Sequence, residues 1–293
     1  MKRILATVLL VLAAVLPASA EEAVLPYKNL NLLADVQFSG GKERVVLILH
    51  GSLSHNRMKT VADLQKLLAA KGFSTLAPNL SLGIDRRQGA FDCAAEHRHR
   101  HTDALDELGA WMDWLGKQGV KDVALLGFSR GGDQAAWFAA EKGHALLKRL
   151  VLVGPMTWTW ESAVKPLDAR QKMMIVESLK RAKGAVAAGR PETLFKDLRF
   201  LHCDKARVAA DTLVSYYDPA ETRRDTPGLL ATLKLPFLVV AASQDQILPD
   251  LLPRLKAMPE ARDRLAVVEG ADHFFNDIFA EEAVDAIAAF LKK

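Results

Sequence analysis

The stretch Gly127-Phe128-Ser129-Arg130-Gly131-Gly132 constrains this chain more than any other. An apolar run, Val123-Ala124-Leu125-Leu126, precedes it, and a helix-like run, Gln134 to Ala140, follows. A serine between a strand and a helix, with glycine two places before and two after, marks a very sharp turn. Side chains at the flanking positions would collide, so only glycine fits there. The serine itself must take a strained backbone conformation. The turn lifts the Ser129 hydroxyl into the open. It also aims the Arg130 N–H outward from a helix N-terminus, where partial positive charge favours an anion.

Strand and helix patterns alternate on both sides of this turn. Val45–Leu49 is an apolar run ending at His50-Gly51, and Lys59–Ala70 carries Val61, Leu64, Leu67 and Leu68 at helical spacing. Phe73–Ala77 reads as a strand, followed by a loop to about Glu96 and an amphipathic helix over His101–Trp114. Leu150–Val153 is the next strand. The alternation resumes with the strand Pro236–Ala241, a helix over Asp250–Met258, the strand Leu265–Val268 and a helix over Glu281–Leu291. This order predicts an α/β fold with a doubly wound, mainly parallel sheet, built from 21–155 and 226–293. Residues 156–225 break the rhythm. They read as an inserted, largely helical cap, with helices over Arg170–Ala188 and Glu192–Leu201 and no clear strand.

Residues 1–20 fall outside the fold. Lys2-Arg3, the apolar run Ile4–Leu16 and Pro17-Ala18-Ser19-Ala20 read as a secretory signal peptide cleaved after Ala20. The expected location is therefore exported, periplasmic or secreted, without stable membrane insertion after cleavage. Cleavage removes Lys2 and Arg3 and no acid, which takes the formal charge from +4 to +2. That balance gives no footprint for nucleic acid. In an oxidising compartment Cys93 and Cys203 can pair, or stay as two buried thiols; geometry decides.

A serine hydroxyl needs a base, and a histidine base needs an orienting carboxylate. Of eight histidines, His273 has the best setting, on a loop just past the strand Leu265–Val268. Asp245 has the matching setting after Phe237–Ala242, with Asp250 as its rival. The order Ser129, Asp245, His273 is one of the known orders of a serine triad. A second oxyanion donor is expected from His50-Gly51-Ser52-Leu53: the Ser52 N–H first, Leu53 second, beside the Arg130 N–H. His50 reads as structural in that loop.

With these residues in place, the chain resembles the α/β-hydrolase superfamily over nearly its whole length beyond residue 20. The resemblance rests on His50-Gly51, Gly127–Gly131, Asp245 and His273. It implies a serine hydrolase of carboxylic esters or thioesters, with no cofactor and a small-molecule acyl substrate. An HGGG run is absent, so the oxyanion loop resembles the simpler H-G-x type. An acyltransferase with the same triad, or a non-catalytic binding protein on the same fold, are the alternatives. Oligomeric state stays open.

Three other features carry less. Glu96-His97-Arg98-His99-Arg100-His101 superficially resembles a metal tract, but it has no H-E-x-x-H and no third ligand, so no metal is expected. It reads as a solvated loop, or as an anion-facing patch near the pocket. Met156, Trp158 and Trp160 either wall the acyl site or form the cap's own core. Met173-Met174 read as cap packing, and Trp111 and Trp114 as packing on a helix.

Overall fold

A computed structural model describes residues 20–293; the signal-peptide assignment thus lies almost wholly outside the described residues. Among the described residues eleven strands occur in order: β1 (Glu21–Tyr27), β2 (Leu30–Gln37), β3 (Arg44–Leu49), β4 (Ser74–Asn79), β5 (Glu96–His97), β6 (Asp122–Phe128), β7 (Leu147–Val153), β8 (Leu194–Phe200), β9 (Cys203–Ala209), β10 (Phe237–Ala242) and β11 (Leu265–Val268). Eight of them form one sheet in the order β1-β2-β4-β3-β6-β7-β10-β11. From β4 to β11 the neighbours run parallel, while β1 and β2 are antiparallel additions at one edge.

Both faces of the sheet are covered, as a parallel sheet requires. Val45, Leu47, Leu49 and Leu125 point to one side, against Leu105, Leu108 and Trp111 of helix Asp103–Lys117 and Ala135 and Trp137 of helix Arg130–Trp137. Val46, Ile48, Ala124 and Leu126 point to the other, against Val61 and Leu64 of helix Lys59–Ala70 and Val284 and Ile287 of helix Ile278–Leu291. The alternation along each strand is the period-two geometry of the pleat.

The β1–β2 hairpin has no counterpart in the sequence reading. Leu32–Val36 is buried throughout, so the strand lacks the alternation that would announce it. The cap also differs from expectation. Alongside helices Ala169–Ala187 and Ala210–Tyr217 it contains the antiparallel pair β8–β9, where a helix over 192–201 and no strand were expected. The cause is visible in β8. A register shift between Phe195 and Leu198 leaves Lys196 and Asp197 both exposed, so the buried residues recur three apart and mimic a helix.

The core supplies part of the cap. β5 pairs with β9, making a three-stranded sheet β5-β9-β8. Leu53 and Phe91 join Ile175, Leu179, Phe200, Leu213 and Tyr216 in the cap's apolar cluster. The Cys93–Cys203 disulfide is formed, across a sequence separation of 110 residues. His97, His99 and His101 are each 0% exposed, whereas Arg98 and Arg100 face solvent. This corrects the expectation of a solvated tract: the imidazoles are inner-face residues of a period-two segment under the cap. Trp111 packs in the core with Trp114 edge-on to it. In the cap, Met174 packs inward, but Met173 is 63% exposed, so it is not a packing residue.

Two predictions follow from this junction. A Cys93→Ser/Cys203→Ser variant should lose about 2–4 kcal/mol, read from the urea midpoint, because the cross-link closes a long loop in the unfolded chain. The second concerns pH. His97 touches Phe91 and Phe200, with ring centroids 4.7 and 4.9 Å away. Neither of its ring nitrogens makes a well-formed hydrogen bond, the Cys93 backbone being its polar neighbour. Burial pushes its pKa down to about 4. Its neutral form is therefore fully compatible with folding above about pH 6.5, the unfolded value, and stability is lost as pH falls from there toward 4. In His97→Phe, the stability gained relative to wild type should grow by about 2 kcal/mol between pH 7 and pH 5. Parallel pH profiles for the two proteins would count against this account.

Candidate active site

The turn between β6 and helix Arg130–Trp137 is as tight as its glycines suggest. A Cβ on Gly127 would lie 2.2 Å from the Gly131 carbonyl oxygen, and one on Gly131 would lie 2.4 Å from that of His50. Ser129, at φ 56° and ψ −122°, sits at the N-terminus of the helix. Its own carbonyl is held by the N–H groups of Gly132 (2.9 Å) and Met156 (3.0 Å).

His273 lies on the loop after β11 and Asp245 on the loop after β10. His273 Nε2 is 2.9 Å from Ser129 Oγ, and its Nδ1 is 2.7 Å from Asp245 Oδ2. A carboxylate can only accept, so Nδ1–H donates to Asp245 and the Nε2 lone pair faces the hydroxyl. Both side chains are nearly buried. The other Asp245 oxygen, Oδ1, accepts from the N–H groups of Ile247 and Leu248, each at 2.8 Å. Burial alone would raise the Asp245 carboxyl. The His273 hydrogen bond and charge and the two amides outweigh it and hold the group below its usual range. Asp250 is turned elsewhere, accepting from Thr157 and Arg254.

Gly51 brings the loop after β3 against the serine: a Cβ there would sit 3.2 Å from Ser129 Cβ. The loop's backbone is held by His50 beneath it. His50 Nδ1 contacts the Gly51 carbonyl at 2.9 Å, while Nε2 accepts from the Leu80 N–H (3.1 Å) and faces Arg87 Nη2 at 3.2 Å. Burial, reinforced by the Arg87 charge, pushes its pKa down to about 3, so it stays neutral. Arg87 is anchored by the Leu80 and Ser54 carbonyls and by Asn79 Oδ1. Nearby, Glu107 accepts from the Ser81 N–H and hydroxyl, and burial pushes it up to about 7.

Ser52 and Arg130 are brought together beside Ser129. The Arg130 N–H belongs to the first helical residue and has no intrahelical acceptor. Leu53 sends its side chain into the cap cluster, at φ 51°. Met156 is fixed by backbone bonds to Ser129 and Thr226. Trp158 and Trp160 line a cleft of about 710 Å³ with Glu141, Arg223 and Thr232, whose lining includes none of Ser129, Asp245 or His273. The Trp158 N–H donates to Asp225 Oδ1 at 3.0 Å and its ring lies under the Arg224 guanidinium, while Trp160 packs against the cap's apolar cluster. The Arg130 side chain, which sequence reasoning left aside, is buried among Ser52, His101 and Tyr216.

Potential metal donors meet at Cys93, His202 and Cys203, but both thiols there are consumed in the disulfide. Among the described residues, no helix is long and apolar enough to cross a membrane.

Residues 45–290 match the Alpha/beta hydrolase family. The chain belongs to that family. Similar solved structures share the fold at low identity. Est1E from Butyrivibrio proteoclasticus superposes with a TM-score of 0.61 at 16% identity, covering 93% of this chain and 99% of that one. The Pyrococcus furiosus esterase Pf2001 does so at 0.62 and 13% identity, covering 94% and 91%. DcsB, solved with a substrate analogue, gives 0.65 at 16% identity, covering 94% and 99%. As an α/β hydrolase, the chain places Asp245, His273 and Ser129 just past the C-terminal ends of parallel strands, where open α/β sheets present their sites.

Gly131→Ala should cost about 3 kcal/mol or more, since the clash is with backbone and not with a movable side chain. Gly184→Ala, inside helix Ala169–Ala187 with nothing within 4 Å of the new methyl, should instead gain about 0.5–1 kcal/mol. Thermal melts of the two variants beside wild type check both signs.

Proposed function

We propose that this α/β hydrolase is an exported serine esterase or thioesterase acting through an acyl-enzyme. The observation that carries the reading is the series Ser129 Oγ, His273 Nε2, His273 Nδ1, Asp245 Oδ2, with spacings of 2.9 and 2.7 Å. His273 takes the Ser129 proton as Oγ attacks the acyl carbonyl. The carbonyl oxygen gains the negative charge, next to the N–H groups of Arg130 and Ser52. His273 then gives the proton to the departing alkoxide or thiolate. Water, deprotonated by the same imidazole, releases the acid and restores Ser129. Asp245 keeps the hydrogen on Nδ1 and offsets the charge of the imidazolium. That the similar structures include proteins named as esterases supports an ester substrate.

Export is supported by Lys2-Arg3, the apolar run Ile4–Leu16 and the Ala18-Ser19-Ala20 ending. The Cys93–Cys203 disulfide suits an oxidising compartment.

The purified protein should bind a fluorophosphonate probe covalently and hydrolyse short p-nitrophenyl esters. Ser129→Ala should abolish labelling, and His273→Ala should lower kcat by about four orders of magnitude or more. A well-folded wild type that neither labels nor hydrolyses across pH 6–9 would refute the reading.

A further inference from the structure

The Arg130 side chain connects the oxyanion loop to the buried interior. Arg130 Nε donates to Ser52 Oγ at 2.7 Å, and Nη1 donates to His101 Nδ1 at 3.3 Å. A guanidinium only donates, so His101 Nδ1 must accept. A neutral imidazole then carries its hydrogen on Nε2, which lies 2.9 Å from Asp133 Oδ2. His101 and Asp133 are both 0% exposed. The result is an arginine and a buried acid bridged by a neutral histidine, and burial pushes the Asp133 carboxyl well above its usual range. Burial drives His101 well below its usual range, and the Arg130 charge acts in the same direction.

Every member of this chain is held from another side. The His101 N–H donates to Ser215 Oγ, and its carbonyl accepts from Gln134 Nε2, each at 2.9 Å. The His101 ring stacks on Trp137 and meets Tyr216 edge-on. Arg130 lies over the Tyr216 ring, 5.2 Å from its centroid. Asp133 sits one turn along the helix that Ser129 begins. The anchor is thus built from the helix, the segment entering helix Asp103–Lys117, and the cap.

Ser52, by contrast, sits between Gly51 and a positive-φ Leu53. An oxyanion donor works only if it is held within a few tenths of an ångström of its place. We propose that Arg130, through its side chain, is a positioning residue for the Ser52 N–H, and that Ser52 Oγ is the handle by which it holds the loop. This rests on the acyl-transfer reading above. It goes beyond the main-chain role of Arg130, because the side chain and the peptide N–H act at different atoms.

Ser52→Ala removes the handle and leaves the peptide N–H and the guanidinium in place. It should lower kcat on a p-nitrophenyl ester about ten- to a hundredfold, with KM within about twofold. Arg130→Met should lower kcat at least as much, and the double variant should fall no further than Arg130→Met alone. Arg130→Lys keeps the charge but loses the planar fork, so it should behave like Arg130→Met. Three results would overturn the proposal: wild-type kcat in Ser52→Ala, multiplicative losses in the double variant, or full rescue by lysine. Amide hydrogen exchange at residues 51–53 reads the anchor without turnover. It should quicken in Arg130→Met and Ser52→Ala. Should wild type neither label nor hydrolyse, the esterase reading fails, and unchanged exchange in both variants would separately remove the anchor.

Discussion

Three backbone segments meet around Ser129 with no space for a methyl group between them. The end of β6, the first turn of the following helix and the His50-Gly51 loop approach so closely that Gly127 and Gly131 cannot carry a side chain. This contact fixes where Ser129 points. The positions of everything else in the site are set relative to it: the helix N-terminus, the loop after β3 and the loops bearing Asp245 and His273. The strain at Ser129 is tolerable because the surroundings over-determine it. β6 is flanked by β3 and β7, and the serine's carbonyl is bonded on two sides.

Around that contact the molecule places buried polar groups in unusual density. His50, Arg87 and Asn79 form one group beneath the loop after β3, and Arg130, His101 and Asp133 form a second beside it. Burying such groups is costly unless each finds a partner, and most of these do. The two groups are oriented by the same rule: an arginine donates to a histidine nitrogen and thereby decides which ring nitrogen keeps the hydrogen. Burial keeps both rings neutral and the neighbours assign the tautomer. His97 departs from that rule. It is equally buried, yet its nitrogens are orphaned among aromatic rings.

The legible parts of the sequence were those whose signal is local. A strand that ends in G-x-S-x-G and runs into a helix, and an acid and a histidine each just past an apolar run, need no tertiary information to find. Illegible parts were those where a tertiary partner changes the pattern. β2 is buried on both faces and loses its alternation. β8 has a bulge that imitates helical spacing. His97, His99 and His101 alternate with Arg98 and Arg100, which is a strand pattern, but every residue in it counts as polar and the period is hidden. Only the cap, folded over the histidines, makes the alternation meaningful. The role of the Arg130 side chain was hidden for the same reason, since its partners lie at positions 52 and 101.

The shared sheet between core and cap has a consequence for how such a chain can be divided. Residues 156–225 do not form a self-contained module. Their sheet is completed by β5, their apolar cluster by Leu53 and Phe91, and their edge is covalently tied at Cys93. Cutting the insertion out would strip the cover from three imidazoles and from the residue that follows Ser52. Grafting it onto another scaffold would leave β9 with a bare edge. Replacing the cap would therefore require matching changes in the 91–101 segment. The physical unit is the insertion together with the stretch of core that threads beneath it.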